Sequence, residues 1–339
     1  MHISAKITGI KYKPFLCKDL QVYDFKNLDD AITENGSFLL KTNTEGQIAV
    51  SWWVSAKRTR SYPYARVYDT IRFSGKKVTI IPIYKDEGKD GDRDFLQWDT
   101  ISLMSLLGIY VIIAYYENAT KNKDYENKIT EQRFNYAYLK NRIKEILSYQ
   151  SDALHWNLSQ IDKVSEIAEK SLQSYQIISK KLKVVMHSNE SALKRIQELQ
   201  KGKDIFMKLS RNLAKKAQLR ESVTIQPKEK LNGTKGIITI KNYLGGEYYF
   251  TSDEIKNDGK SLYLIEGKHS EKDKLPSTED IKDGLLKMIL FCNLKNVEID
   301  NQFFETTPIL KLTTAKNFNV KLLTTSQEKT INLLRQEST

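Results

Sequence analysis

Residues 246–270 read GEYYFTSDEIKNDGKSLYLIEGKHS, and the fold turns on how they are read. Two runs rich in Tyr, Phe, Ile and Leu flank Asn257-Asp258-Gly259-Lys260. Asp-Gly between apolar runs is a strong short-range hairpin signal, because these residues accept the positive φ that a tight turn demands. With Asp258 and Gly259 as a two-residue loop, Asn257 faces Lys260 and Ile255 faces Leu262. Asp253 then faces Leu264, and Thr251 faces Glu266. Side chains alternate along a strand, so Asp253, Glu266 and Lys268 fall on one face and Glu254 on the other.

Two carboxylates and an ammonium near the ends of adjacent strands suit one chemistry well. Close carboxylates repel each other and attract a hard divalent cation, and Mg²⁺ takes oxygen ligands while keeping several waters. A bound metal lowers the pKa of its water and offsets charge developing on a phosphate. A lysine beside it holds the attacking water and stabilises the transition state electrostatically.

Asp253, twelve intervening residues and then Glu266-Gly267-Lys268 resemble the signature of the PD-(D/E)XK nuclease superfamily. Ser252 stands where that motif usually has proline. A Lys-rich loop with Pro276 follows, then Ser277-Thr278-Glu279-Asp280 as a helix N-terminus and Ile281 to Leu290 as an amphipathic helix. Asn296 to Asp300 reads as a further strand. Strand, strand, helix, strand is the order of the superfamily's core, and the resemblance spans residues 223–325. It implies a Mg²⁺-dependent endonuclease acting on double-stranded DNA, similar to a type II restriction endonuclease. Asp253 and Glu266 would hold the metal and Lys268 would position the water. Glu247 and His269 are second-tier members. Glu221, after a helix at Lys203 to Arg220, is the nearest match to the acidic residue that such a helix often contributes. The rivals are a non-catalytic DNA-binding protein and a repair or transposition nuclease with the same core.

Composition agrees with a polyanionic partner. The 339 residues carry 54 Lys and Arg against 42 Asp and Glu, a formal charge of +12. Basic side chains release counterions from a phosphate backbone. Cys17 and Cys292 are far apart, which argues against a disulfide framework or structural zinc and suits the cytoplasm. The four histidines show no H-E-x-x-H spacing, and no G-x-x-x-x-G-K-[ST] stretch is present. Residues 1–14 lack the apolar region of a signal peptide.

Residues 100–116, TISLMSLLGIYVIIAYY, carry no charge. A membrane span is one reading, but the run is shorter than ~20 residues. Splitting it at Gly108 gives a buried helix, a glycine cap and a fully buried strand.

Residues 51–68, SWWVSAKRTRSYPYARVY, interleave basic and aromatic side chains. Lys57, Arg58, Arg60, Tyr62, Tyr64 and Arg66 are the candidate DNA contacts, since guanidinium groups bind phosphates and aromatics pack on sugars or bases. The alternative is a surface loop whose tyrosines seal a core edge. Residues 69–73 and 77–85 read as strands, 95–107 as a helix and 109–116 as a strand. This is a βαβ unit, or a degenerate second nuclease core; Asp69, Asp86 and Glu87 are the fallback ligands should the C-terminal site fail.

Residues 117–221 lack proline and show apolar residues at helical spacing: Ile161, Val164, Ile167, Ala168, Leu172, Tyr175 and Ile178. The expected division is 1–118, β-rich and DNA-recognising; 119–221, helical; and 222–339, the catalytic core. The expected class is α/β or α+β with a mixed sheet. A homodimer follows if the target is palindromic. Polar residues from Ser326 onward suggest a frayed tail.

Overall fold

The computed structural model describes residues 1–42, 46–55, 63–96, 98–188, 190–192, 234–242, 247–271, 275–315 and 323–338. The chain forms two compact units. One joins Met1–Asp19 to Asn212–Thr339, and the other is Leu20–Arg211. This differs from the three-part division expected from composition. Strand β1 (His2–Ile7) is the reason, because it pairs with strands from the far end of the chain. Local composition carries no trace of such a pairing.

The Leu20–Arg211 unit is α/β. Its elements are β2 (Val22–Asp24), α1 (Leu28–Glu34), β3 (Ser37–Lys41), β4 (Gln47–Trp52), α2 (Pro63–Ile71), β5 (Lys77–Pro82), β6 (Tyr84–Asp86) and β7 (Arg93–Phe95). They continue with α3 (Trp98–Leu106), β8 (Ile109–Ala114), β9 (Tyr116–Lys121), β10 (Ile129–Phe134), α4 (Tyr136–Ser148), α5 (Ala153–Ile161) and α6 (Val164–Leu182). A mixed sheet runs β2-β3-β4-β5-β8, with β4, β5 and β8 parallel. The split at Gly108 holds: α3 ends before it, its φ is +66°, and every residue of β8 is buried. No helix among the described residues is long and apolar enough to cross a membrane. As an edge strand, β8 would offer bare backbone groups to other chains. Here α5 covers them. Asn157 accepts from the Val111 amide at 2.7 Å and donates to the Ile109 carbonyl at 2.9 Å, and the Trp156 indole donates to the Val111 carbonyl at 2.8 Å.

Two expectations for this unit are corrected. Residues 69–73 are not a strand, since α2 runs to Ile71. Tyr64, Val67 and Tyr68 recur at helical spacing and are buried, which is the pattern that the strand reading overlooked. The region from 119 onward is not helical throughout either, because β9 and β10 first pair as an antiparallel hairpin. In α6 the apolar stripe packs as its spacing implies: Val164, Ile167, Ala168, Leu172, Tyr175 and Ile178 are buried. The helix expected at 203–220 lies outside the described residues.

The other unit contains β1, β11 (Thr234–Asn242), β12 (Glu247–Asn257), β13 (Ser261–Ser270), α7 (Thr278–Phe291), β14 (Lys295–Ile299), β15 (Gln302–Thr314) and α8 (Thr325–Glu337). Six strands close on themselves in the order β1-β11-β12-β13-β15-β14. Ile3, Ala5, Ile7, Ile238, Ile240, Phe250, Leu262 and Leu264 are buried strand residues, and Ile281, Leu286, Ile289 and Phe291 are the buried face of α7. Ser277 caps α7 by accepting from the Asp280 amide at 3.1 Å, and Glu279 and Asp280 complement the helix dipole. The strand beside β13 is β15, parallel to it; β14 turns back on β15 and pairs with β1. The tail from Ser326 is not frayed. It is α8, opened by a capping box at Thr324 and Gln327. Glu337 near its end accepts from the amides of Phe15 and Leu16 at 2.7 and 2.8 Å.

Candidate functional site

The β12–β13 hairpin forms, with a register two residues away from the expected one. Asn257 pairs with Leu262, Ile255 with Leu264 and Glu254 with Ile265. The connection is therefore longer than an Asp-Gly two-residue turn. The Asp258 carboxylate holds it by accepting from the amides of Lys260 and Ser261 at 3.0 and 2.7 Å. These bonds keep that carboxyl below its ordinary value. Gly259 supplies the turn with φ +92°. A slip of one residue would have flipped every side chain, whereas a slip of two preserves the faces. Continued one step, the observed register sets Asp253 beside Glu266.

A bulge refines that placement. On β11, Thr234 pairs with Ile255 and Gly236 with Ser252, so β12 carries one extra residue at Asp253-Glu254. Bulges re-aim side chains at strand edges and near active sites. Ser252 braces this one. Its hydroxyl is buried and lies 2.9 Å from the carbonyls of both Glu254 and Ile265. A proline at 252 would have no hydroxyl for either bond.

The three residues expected to act together are brought together. Asp253 accepts the Gly267 amide at 2.8 Å. Glu266 is 2% exposed, and its Oε1 lies 3.1 Å from Lys268 Nζ. Helix α7 adds two partners that the motif did not include. Lys287 Nζ donates to Glu266 Oε1 at 2.7 Å, and Lys268 Nζ donates to Asp283 Oδ2 at 3.1 Å. The helix approaches closely because residue 284 is glycine. A Cβ there would lie 2.6 Å from Leu310 and 3.2 Å from the Lys268 stem. Asp283 and Lys287 sit four apart on a largely buried helix. That charged pair was the available signal for them in the sequence.

The electrostatics divide the two carboxylates. Burial raises the pKa of Asp253, and the charge of Glu266 raises it further. Burial also pushes Glu266 up, but Lys287 and then Lys268 outweigh it and hold the carboxyl below its usual range. Burial opposes the charge on both lysines, yet Glu266 raises each of them. The second oxygen of Glu266, Oε2, is buried with no hydrogen-bond partner among the described residues. A buried acceptor in that state is costly unless something else satisfies it.

The remaining candidates are placed elsewhere or not described. His269 follows Lys268, takes the opposite face and bonds Thr313 Oγ1 at 2.9 Å. Glu254 is fully buried away from the cluster, with Lys256 and Lys311 ammoniums at 3.4 and 3.9 Å. Glu247 is the first residue of β12, its side chain outside the described residues, as is all of Glu221. Lys57, Arg58, Arg60 and Tyr62 also lie outside them. Tyr64 is 3% exposed and packs edge-on against Trp53. Arg66 stacks over Trp52 at 4.3 Å and donates to its carbonyl at 2.8 Å. Tyr64 is therefore an interior residue, whereas Arg66 is half-buried beside Trp52. Of the fallback ligands, Asp69 is buried in α2. Asp86 is buried too, accepting from Tyr84, the Gly88 amide and His187, while Glu87 pairs with Lys85 at 2.6 Å. Among the described residues no three His, Cys, Asp or Glu side chains converge, either here or at the β12–β13 site.

Compared with known protein families, with curated proteins and with solved structures, the chain matches none.

Proposed function

We propose that the chain is a Mg²⁺-dependent endonuclease that hydrolyses phosphodiester bonds of double-stranded DNA at specific sites, in the manner of a type II restriction enzyme. The observation that carries this reading is the convergence of Asp253, Glu266 and Lys268 on one face, with Glu266 Oε2 left without a hydrogen bond. Two carboxylates suffice for Mg²⁺, which fills its shell with waters and substrate phosphate. Asp253 and Glu266 would hold the ion, and the ion would supply an acidified water and charge compensation. Lys268 has a hydrogen-bonding ammonium 3.1 Å from Glu266 Oε1, suited to orienting a water and to meeting negative charge on phosphate. The net charge of +12 supports a polyanionic substrate. A cytoplasmic location and a two-fold dimer on a palindromic target belong to the same proposal.

One observation favours a second reading, a DNA-binding protein without catalysis. Glu266 Oε1 already engages two ammoniums, and Lys268 also engages Asp283, so the cluster is a self-sufficient ion-pair network. Incubation with plasmid DNA, with and without Mg²⁺, separates the readings. Discrete Mg²⁺-dependent fragments support the restriction-type enzyme, and nicking of branched substrates supports a repair or transposition nuclease. A mobility shift with no cutting supports the binder. Lys268→Ala is expected to lose cleavage by at least about a hundredfold while retaining DNA binding. Full activity in that variant would rule out the assignment.

A further inference from the structure

Strand and helix meet at the site as a charge-complementary ladder. Glu266 and Lys268, two apart on β13, project from one face. Asp283 and Lys287, four apart on α7, project from one side of the helix. The pairing is crossed in sign: Lys287 meets Glu266 at 2.7 Å and Asp283 meets Lys268 at 3.1 Å. Lys287 and Lys268 converge on the same oxygen of Glu266, Oε1, and leave Oε2 buried and unbonded. One oxygen is thus fixed twice over and the other is left without a hydrogen bond.

We infer that Lys287 is a positioning residue that locks Glu266 through Oε1 and so presents Oε2 to a divalent cation. This rests on the nuclease reading and adds to it a part that the strand motif does not contain. The contact sets the orientation of the carboxylate, since rotating Oε2 away would break the shortest bond in the ladder. It also frees Lys268. When Lys268 turns toward substrate, Glu266 keeps an ammonium and is not left as an unpaired buried charge, a costly state. Groups that orient a metal ligand without touching the metal commonly govern affinity by about 10–100-fold.

A simple neighbouring charge would act in the opposite sense. Lys287 as a mere cation near the site repels Mg²⁺, so its removal would tighten binding. The positioning role requires its removal to weaken binding. Calorimetric titration of Mg²⁺ into the full chain, without DNA, reads this sign directly. Lys287→Met is expected to bind Mg²⁺ at least about tenfold more weakly, and Lys287→Arg to recover to within about threefold of the parent. Cleavage should follow the metal, with a higher Mg²⁺ concentration for half-maximal rate in Lys287→Met and a rate at saturating Mg²⁺ that is largely restored. Thermal unfolding checks that each variant folds. Should Lys287→Met not fold, Lys287→Gln takes its place, being shorter and uncharged, with the same loss expected. Unchanged or tighter Mg²⁺ binding in the folded variant overturns the positioning role alone. A parent chain that binds no Mg²⁺, with Asp253→Asn indistinguishable from it, overturns the nuclease reading and this inference together.

Discussion

Asp253 and Glu266 are the same kind of group driven in opposite directions. Glu266 is held low by two lysines, so its stabilising contribution is full above its unfolded value, about 4.3, and is lost as pH falls through the lower folded value. The lysines are raised, so their contribution is full below their unfolded value, about 10.4, and is lost as pH rises through the folded one. Asp253 is raised by burial and by Glu266, so protonating it favours the fold as pH falls. Removing one partner of a buried ion pair costs about 3 kcal/mol, so Lys287→Met should lose about that much in urea unfolding at neutral pH. The gap should narrow below about pH 4, where Glu266 protonates in the unfolded chain and then in the fold. Asp253 keeps its proton to a higher pH than an ordinary aspartate, and Mg²⁺ binding would displace that proton over the same pH interval. Calorimetry in buffers of different ionisation enthalpy should show proton release on binding there, absent in Asp253→Asn. Equal heats in all buffers would contradict the raised value.

At the scale of elements, the hairpin turn and α7 place the site. Gly259 has φ +92° and open space around it, so an added Cβ meets strain but no clash. Gly259→Ala should cost about 1–2 kcal/mol without altering the distance between the strands, so cleavage per folded molecule should be unchanged. Gly284 is the opposite case. Its φ is ordinary for a helix, but its space is filled by Leu310 and the Lys268 stem. Gly284→Val should push α7 away from β13 and break the ladder. Activity should then fall further than stability alone explains, and equal activity per folded molecule would show that the helix has no part in the site. The positions of hairpin, helix and following strand were readable because each has a local period. The register was not. Asp258 bonds two amides beyond itself, and that choice between turn geometries is invisible in the letters Asp-Gly. The bulge at Asp253-Glu254 was equally hidden, since it is defined only against the Thr234 and Gly236 positions of β11.

Across the whole molecule, the sheet that carries the site is closed by the first few residues of the chain. β1 lies between β11 and β14 and buries Ile3, Ala5 and Ile7. Deleting residues 1–8 would expose two strand edges and remove three core side chains. The expected result is loss of Mg²⁺ binding, with limited proteolysis digesting 212–339 and sparing 20–192. Retained Mg²⁺ binding in that truncation would show that the sheet does not need its closing strand. Local patterns were enough for the strands and helices they reveal, for the shared face of Asp253, Glu266 and Lys268, and for the buried run after Gly108. Periodicity is a property of neighbours along the chain, and it fixes which way each side chain faces. The hairpin register, the closing role of β1, and the pairing of Lys287 and Asp283 with the strand triplet were decided only by the tertiary structure. Each depends on which distant segment comes to lie alongside, and that is set by the packing of the whole core rather than by any local stretch of it.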